Sequence, residues 1–105
     1  MSEHAERKLW EILLPATRAA RSTGWIYQIS PIDHQIWDKK VVEIAGGLTL
    51  MTKVIGRWGS QRENMIAVRV ACTREQLFKI IDITKEHYEQ ETVMAYRVSD
   101  EVYIV

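Results

Sequence analysis

The side chains of this chain that could do chemistry fall into two sets. The first is ionic: Glu11, with Arg69 and Arg97 in two later apolar runs. A carboxylate between guanidiniums is either a partly buried ion pair that fixes strand register, or a carboxylate-binding or acid–base cluster in a cleft. The residue types fit both. The second set is aromatic and basic: Trp25, Tyr27, His34, Arg57, Trp58, His87 and Tyr88. Histidine moves protons near neutral pH, arginine holds anions, and aromatic rings offer flat apolar faces. Each also has a plainer role. His34 suits an exposed first helical turn, His87 suits a helix C-terminus whose dipole favours a cation, and Trp58 suits packing at a strand end. Trp37 falls at helical spacing and reads as core.

Other chemistries are poorly supplied. Cys72 is the single cysteine, and it reads as a buried strand thiol rather than a reactive or ligating one. His4, His34 and His87 lack metal-ligand spacing, so neither a metal site nor a cofactor is expected. Gly46-Gly47 is a helix stop, not a phosphate-cradling loop. No Gly-x-Ser-x-Gly elbow is present, and Ser, His and Asp show no triad context. No catalytic residue is assigned.

The elements that must position these residues follow from periodicity. Residues 9–14 form a short apolar strand ended by Pro15. Residues 16–29 are a long connection carrying Arg18, Arg21, Trp25 and Tyr27 and no acid. Ser30-Pro31-Ile32-Asp33 starts a helix, with Ser30 as cap, Pro31 at the first position and Asp33 placed for a capping box. Ile36, Trp37, Val41, Ile44 and Ala45 make its apolar side, and Gly46-Gly47 ends it. From Leu48 to Trp58 the period becomes two, a long strand. A polar turn over 59–64 leads to a third strand over 65–72. Thr73 and Gln76 box the start of a second helix, whose stripe is Leu77, Ile80, Ile81, Thr84 and Tyr88. A fourth strand over 93–98, a Ser99-Asp100 turn and a short strand over 102–105 complete the chain.

That order, β-α-β-β-α-β, is the split βαβ or ferredoxin-like α+β pattern. It implies an antiparallel sheet in order 4-1-3-2, two helices on one face and a short C-terminal strand extension. One domain is expected over 1–105, with 1–7 a polar tail. Fourteen basic and fourteen acidic residues give no net field toward nucleic acid or an anionic membrane. No apolar run spans a bilayer, and the charged start is unlike a signal peptide, so the expected location is cytoplasmic. RNA-recognition modules of this topology stack bases on open-face aromatics of strands one and three. Here those positions are Leu9, Glu11, Leu13, Met65, Ala67 and Arg69, and no nucleic-acid partner is expected.

Trp10, Ile12, Leu14, Ile66, Val68 and Val70 should lie beneath the helices. The other face would then show Leu9, Glu11, Leu13, Met51, Ile55, Met65, Ala67, Arg69, Val93, Ala95 and Arg97. That surface is too apolar for water, so a homodimer or larger homo-oligomer that covers it is expected. Strands one and two run the same way. The 16–29 loop, the Arg57-Trp58 strand end, the start of helix one and the end of helix two therefore share one edge. His34, Arg57, Trp58, His87, Tyr88, Trp25 and Tyr27 converge there as the candidate ligand site, with helix N–H groups favouring an anion.

With Leu9-Trp10-Glu11-Ile12-Leu13-Leu14-Pro15, Trp37-Asp38, Gly46-Gly47-Leu48-Thr49, Gly56-Arg57-Trp58 and His87-Tyr88-Glu89-Gln90-Glu91 in view, the chain resembles small uncharacterised bacterial proteins of ferredoxin-like, dimeric α+β type. It is also similar to small hypothetical proteins carried on mobile gene cassettes. The resemblance implies fold and assembly and brings no activity with it. The functional expectation is a homo-oligomeric module binding a small anionic or aromatic molecule, at the sheet end or between subunits. Two alternatives stay open: a cofactor-independent enzyme in which Glu11 or a histidine moves a proton, and a protein-interaction module.

Overall fold

The computed structural model describes residues 7–58 and 61–103; for 50–54, 56, 58 and 61–63 it describes the backbone. The order is β1 (Lys8–Pro15), β2 (Thr17–Ala19), β3 (Ile26–Gln28), α1 (Pro31–Ala45), β4 (Thr49–Trp58), β5 (Gln61–Cys72), α2 (Arg74–Tyr88) and β6 (Ala95–Ser99). The main sheet runs β4-β5-β1-β6 and is antiparallel throughout. This is the expected 4-1-3-2 ferredoxin-like α+β arrangement.

Alternation along β1 decides what the helices cover. Trp10, Ile12 and Leu14 are buried with Val68, Val70 and Cys72 of β5, against Trp37, Val41 and Ala45 of α1 and Leu77, Ile80 and Tyr88 of α2. Trp37 is fully buried and keeps its polar edge satisfied: its indole N–H donates to Thr84 Oγ1 at 2.9 Å. A buried indole needs such a partner. Trp10 solves the same problem on the Cys72 carbonyl at 3.1 Å, with the Arg74 guanidinium 5.7 Å over its ring. Burial pushes the Cys72 thiol up to about 11, which keeps it unreactive.

The helix ends follow their capping residues. Ser30 Oγ accepts from Asp33 N, and Gly46 adopts φ +91° beyond α1, its N–H closing on the Val42 carbonyl. At α2 the Thr73–Gln76 box is complete in both directions, and Gln76 Nε2 also donates to the Ile44 carbonyl, which ties the start of α2 to the end of α1.

Five expectations are corrected. The 16–29 connection is a small antiparallel ribbon, with Arg18 opposite Tyr27 and a turn at Gly24, whose φ is +72°; three-residue strands are too short to show a period. In β6 the register sets Tyr96, not Arg97, opposite Glu11, while Val93 and Ala95 pack on the core instead of the open face. Both parities of this strand are apolar, so alternation could not choose between them. In β4 a register shift between Leu50 and Lys53 brings Val54, not Ile55, opposite Met65 of the open face; one extra residue reverses every later position. Ile36 of α1 is substantially exposed rather than core. Of the expected terminal strand, Val102 and Tyr103 carry no strand pairing, and 104–105 lie outside the described residues, as does Met51's side chain.

Candidate ligand cleft between the second helix and the short hairpin

The first turn of α1 and the last turn of α2 meet side by side, and their polar residues interlock. His34 Nδ1 and the Tyr88 hydroxyl share a hydrogen bond of 2.7 Å. His87 Nε2 lies 2.7 Å from the Asp33 carbonyl, which only accepts, so Nε2 carries the proton. The His87 ring meets Tyr88 edge-on at 4.7 Å, and Trp37 lies 6.3 Å from Tyr88 on the core side. Tyr88 is thus the buried hub of the end of α2.

The β2–β3 hairpin closes over this hub from the other side. Arg18 Nη2 donates to the His87 carbonyl at 3.2 Å, and Nη1 lies 3.4 Å from Glu89 Oε2. Arg21 reaches the other Glu89 oxygen. Glu89 stands at the C-cap of α2 with φ +54°, an unusual conformation for a residue with a side chain. Between the elements lies a cleft of about 360 Å³ whose side chains include Arg18, Arg21, Tyr27, Tyr88 and Glu89.

Electrostatics follow from burial. Burial drives the Tyr88 phenol well above its usual range, Asp38 and Asp33 add to the rise, and Arg18 opposes it. Tyr88 is therefore a neutral hydroxyl at any physiological pH. The Asp38 carboxyl is raised by burial and partly drawn back by His34. Its Oδ1 is buried without a hydrogen-bond partner, and so is Arg18 Nε.

Of the residues expected to converge, His34, His87 and Tyr88 are brought together, and Tyr27 joins them across the cleft. Trp25, at the hairpin turn, is 76% exposed and does not line the cleft. Arg57 sits opposite Arg62 near the tip of the β4–β5 hairpin, beyond the point where β1 ends opposite Met65, and it is no part of the cleft wall. Trp58's side chain lies outside the described residues. Sequence reasoning missed Glu89 and Asp38. The acid-free 16–29 stretch was the available signal, because its two arginines require carboxylates somewhere nearby.

The ionic set assembles differently from expectation. Arg69 Nε donates to Glu11 Oε1 at 3.0 Å, and Tyr96 donates to Glu11 Oε2. Arg97 lies on the other face and pairs with Asp100 at 3.2 Å. Glu11 is buried, and each of its oxygens already accepts a hydrogen bond within the protomer. That argues against the enzyme alternative built on Glu11. Among the described residues no group of three or more His, Cys, Asp or Glu side chains is placed to hold a metal ion.

No protein-family model matches the chain, and no curated protein does. Solved structures do. The divalent cation tolerance protein CutA1 of Thermus thermophilus is similar at 14% identity and TM-score 0.59, over 88% of this chain and 82% of that one. The periplasmic divalent cation tolerance protein CutA of Archaeoglobus fulgidus is similar at 16% and 0.62, over 93% and 87%. CutA of Xylella fastidiosa is similar at 13% and 0.62, over 94% and 88%. None of these names carries the gene-cassette association. At such identities the likeness is one of fold, and the chain shares the ferredoxin-like α+β architecture of the CutA1 proteins.

Proposed function

We propose that the protein is a homo-oligomeric binding module that takes a small anionic or aromatic molecule into the cleft between the β2–β3 hairpin and the end of α2. The observation that carries this reading is the composition of that cleft: Tyr27 and Tyr88 supply aromatic surface beside Arg18 and Arg21, with Glu89 the one carboxylate among the described residues that line it. A ligand carboxylate or phosphate competes with Glu89 for the two guanidiniums, and a flat apolar body lies against the rings. Oligomer formation rests on the apolar open face of the sheet. The cytoplasmic location remains part of the reading, and cell fractionation checks it against the periplasmic location named for the Archaeoglobus neighbour. Among the described residues no helix is long and apolar enough to cross a membrane.

The test is native mass spectrometry of the protein as purified, followed by Arg18→Gln and Tyr27→Ala. A reproducible adduct on the multimer that is lost in both variants supports the reading. An adduct retained in both overturns the assignment of the cleft. A clean wild-type multimer that also fails to take up small aromatic carboxylates overturns the binding role.

A second reading comes from the names of the structural neighbours: a part in divalent cation tolerance. Calorimetric titration with Cu²⁺ and Zn²⁺ separates the two. Stoichiometric metal binding that His34→Ala and His87→Ala both weaken favours the cation role; absence of binding leaves the organic ligand as the stronger reading.

A further inference from the structure

At the opposite end of the sheet, where α1 stops and β1 begins, lies a larger cavity of about 650 Å³. Leu9, Ala45, Leu48, Ala71 and Val102 supply its apolar wall, Gly46 and Gly47 its floor, and two guanidiniums its charge, those of Arg7 and Arg69. Among the described residues that line it there is no carboxylate. Both arginines are pinned by a single nitrogen. Arg7 Nη1 donates to the Ala45 carbonyl at 3.3 Å and the Ala71 carbonyl at 3.2 Å, and Arg69 Nε donates to Glu11 at 3.0 Å. A guanidinium held this way has lost its rotamer freedom before any ligand arrives, while the remaining N–H groups of its fork are available. The glycine floor leaves room: a Cβ built at Gly46 or Gly47 meets nothing within 4 Å.

We propose that this cavity is a second, independent binding site, specific for a small organic anion with a carboxylate or phosphate on an apolar body. The two forks hold the anionic group, and the apolar wall takes the body. The volume lies within the usual range for small-ligand pockets, about 300–1,000 Å³. The hairpin cleft plays no part in it, so the two sites fail or survive separately.

The experiment is a ¹H–¹⁵N NMR titration of the full chain with benzoate, and separately with acetate and inorganic phosphate. Expected are saturable shifts at the Gly46, Gly47, Thr49 and Ala71 amides, with benzoate binding tighter than acetate because of the apolar wall. Arg7→Gln and Arg69→Gln each weaken benzoate at these amides about tenfold, the usual scale for losing one charge-assisted pair, and Tyr27→Ala leaves the shifts at these four amides unchanged. The same spectra report the fold of each variant. Should Arg69→Gln fail to fold with Glu11 left unpaired, the double variant Glu11→Gln/Arg69→Gln carries the same test. Phosphate binding as tightly as benzoate shows that the apolar wall plays no part, and it overturns the organic-anion assignment. Saturation that survives both arginine substitutions, or no saturable shift at these amides, overturns the site.

Discussion

Asp38 is a carboxylate placed at a cost. It packs beside the Trp37–Tyr88 hub with one oxygen buried and unpartnered, and burial raises its pKa despite the opposing charge of His34. A carboxyl whose folded pKa is raised binds its proton more tightly in the folded state. Its contribution is therefore favourable below the ordinary value of 3.8 and is lost as pH rises through the raised folded value. At neutral pH the wild type bears the cost of a charge that is half-buried. Asp38→Asn is expected to be the more stable protein at pH 7, by roughly 1 kcal/mol, the scale of one poorly satisfied buried polar atom. The gap should close as pH approaches 4. Chemical denaturation at pH 4, 5.5 and 7 checks this, and an Asn variant less stable at every pH contradicts it. Nothing in the sequence marked this residue. Its partial burial is set by tertiary contacts that no local pattern encodes.

At the level of elements, signals built from period and caps were legible and signals built from register were not. Ser30-Pro31, Gly46 and the Thr73–Gln76 pair fix the helix ends with local hydrogen bonds, so the residue types sufficed. The core face of β1 and β5 was legible because only one parity there is continuously apolar. The face of β6 depended on whether Val93 and Ala95 or Met94 and Tyr96 turn inward, and the choice is made by pairing with β1. The β2–β3 ribbon was hidden for a related reason: its strands are held by a turn and by side-chain anchors to α2, not by an amphipathic pattern. Gly24 is the local device that makes this ribbon possible, with φ +72° and open space around it. Gly24→Ala forces a Cβ into the left-handed region at a cost of about 1 kcal/mol. Because the ribbon carries Arg18 and Tyr27, the expected result is faster amide exchange over 17–28 and weaker ligand uptake in the hairpin cleft, with exchange in β1 and β5 unchanged. Uniform acceleration across the sheet would show instead that the ribbon is part of the global folding unit.

For the whole molecule the open sheet face is the feature with the largest consequence. Leu9, Leu13, Met65 and Ala71 are partly exposed there, around a Glu11 paired with Arg69 and hydrogen-bonded by Tyr96. A satisfied ion pair amid apolar residues is compatible with burial in a way that an open carboxylate is not, because no uncompensated charge has to leave water. Water is a poor neighbour for the rest of such a surface, and a second copy of the chain offers the same apolar residues in return. Leu13 sits opposite Ala67 in the β1–β5 pairing, on the same face as the Glu11–Arg69 pair and two residues along β1 from Glu11. Leu13→Asp places an unpaired carboxylate in the contact, at a cost of roughly several kcal/mol to association and little to the protomer, where Leu13 is only partly buried. Light scattering should show a wild-type multimer and a Leu13→Asp protomer of unchanged circular dichroism. A variant of wild-type mass, or a wild type that is itself monomeric at tens of micromolar, means that copies of this chain do not meet through this face. The interaction-module alternative then becomes the stronger account of the apolar surface, since a different polypeptide would have to cover it.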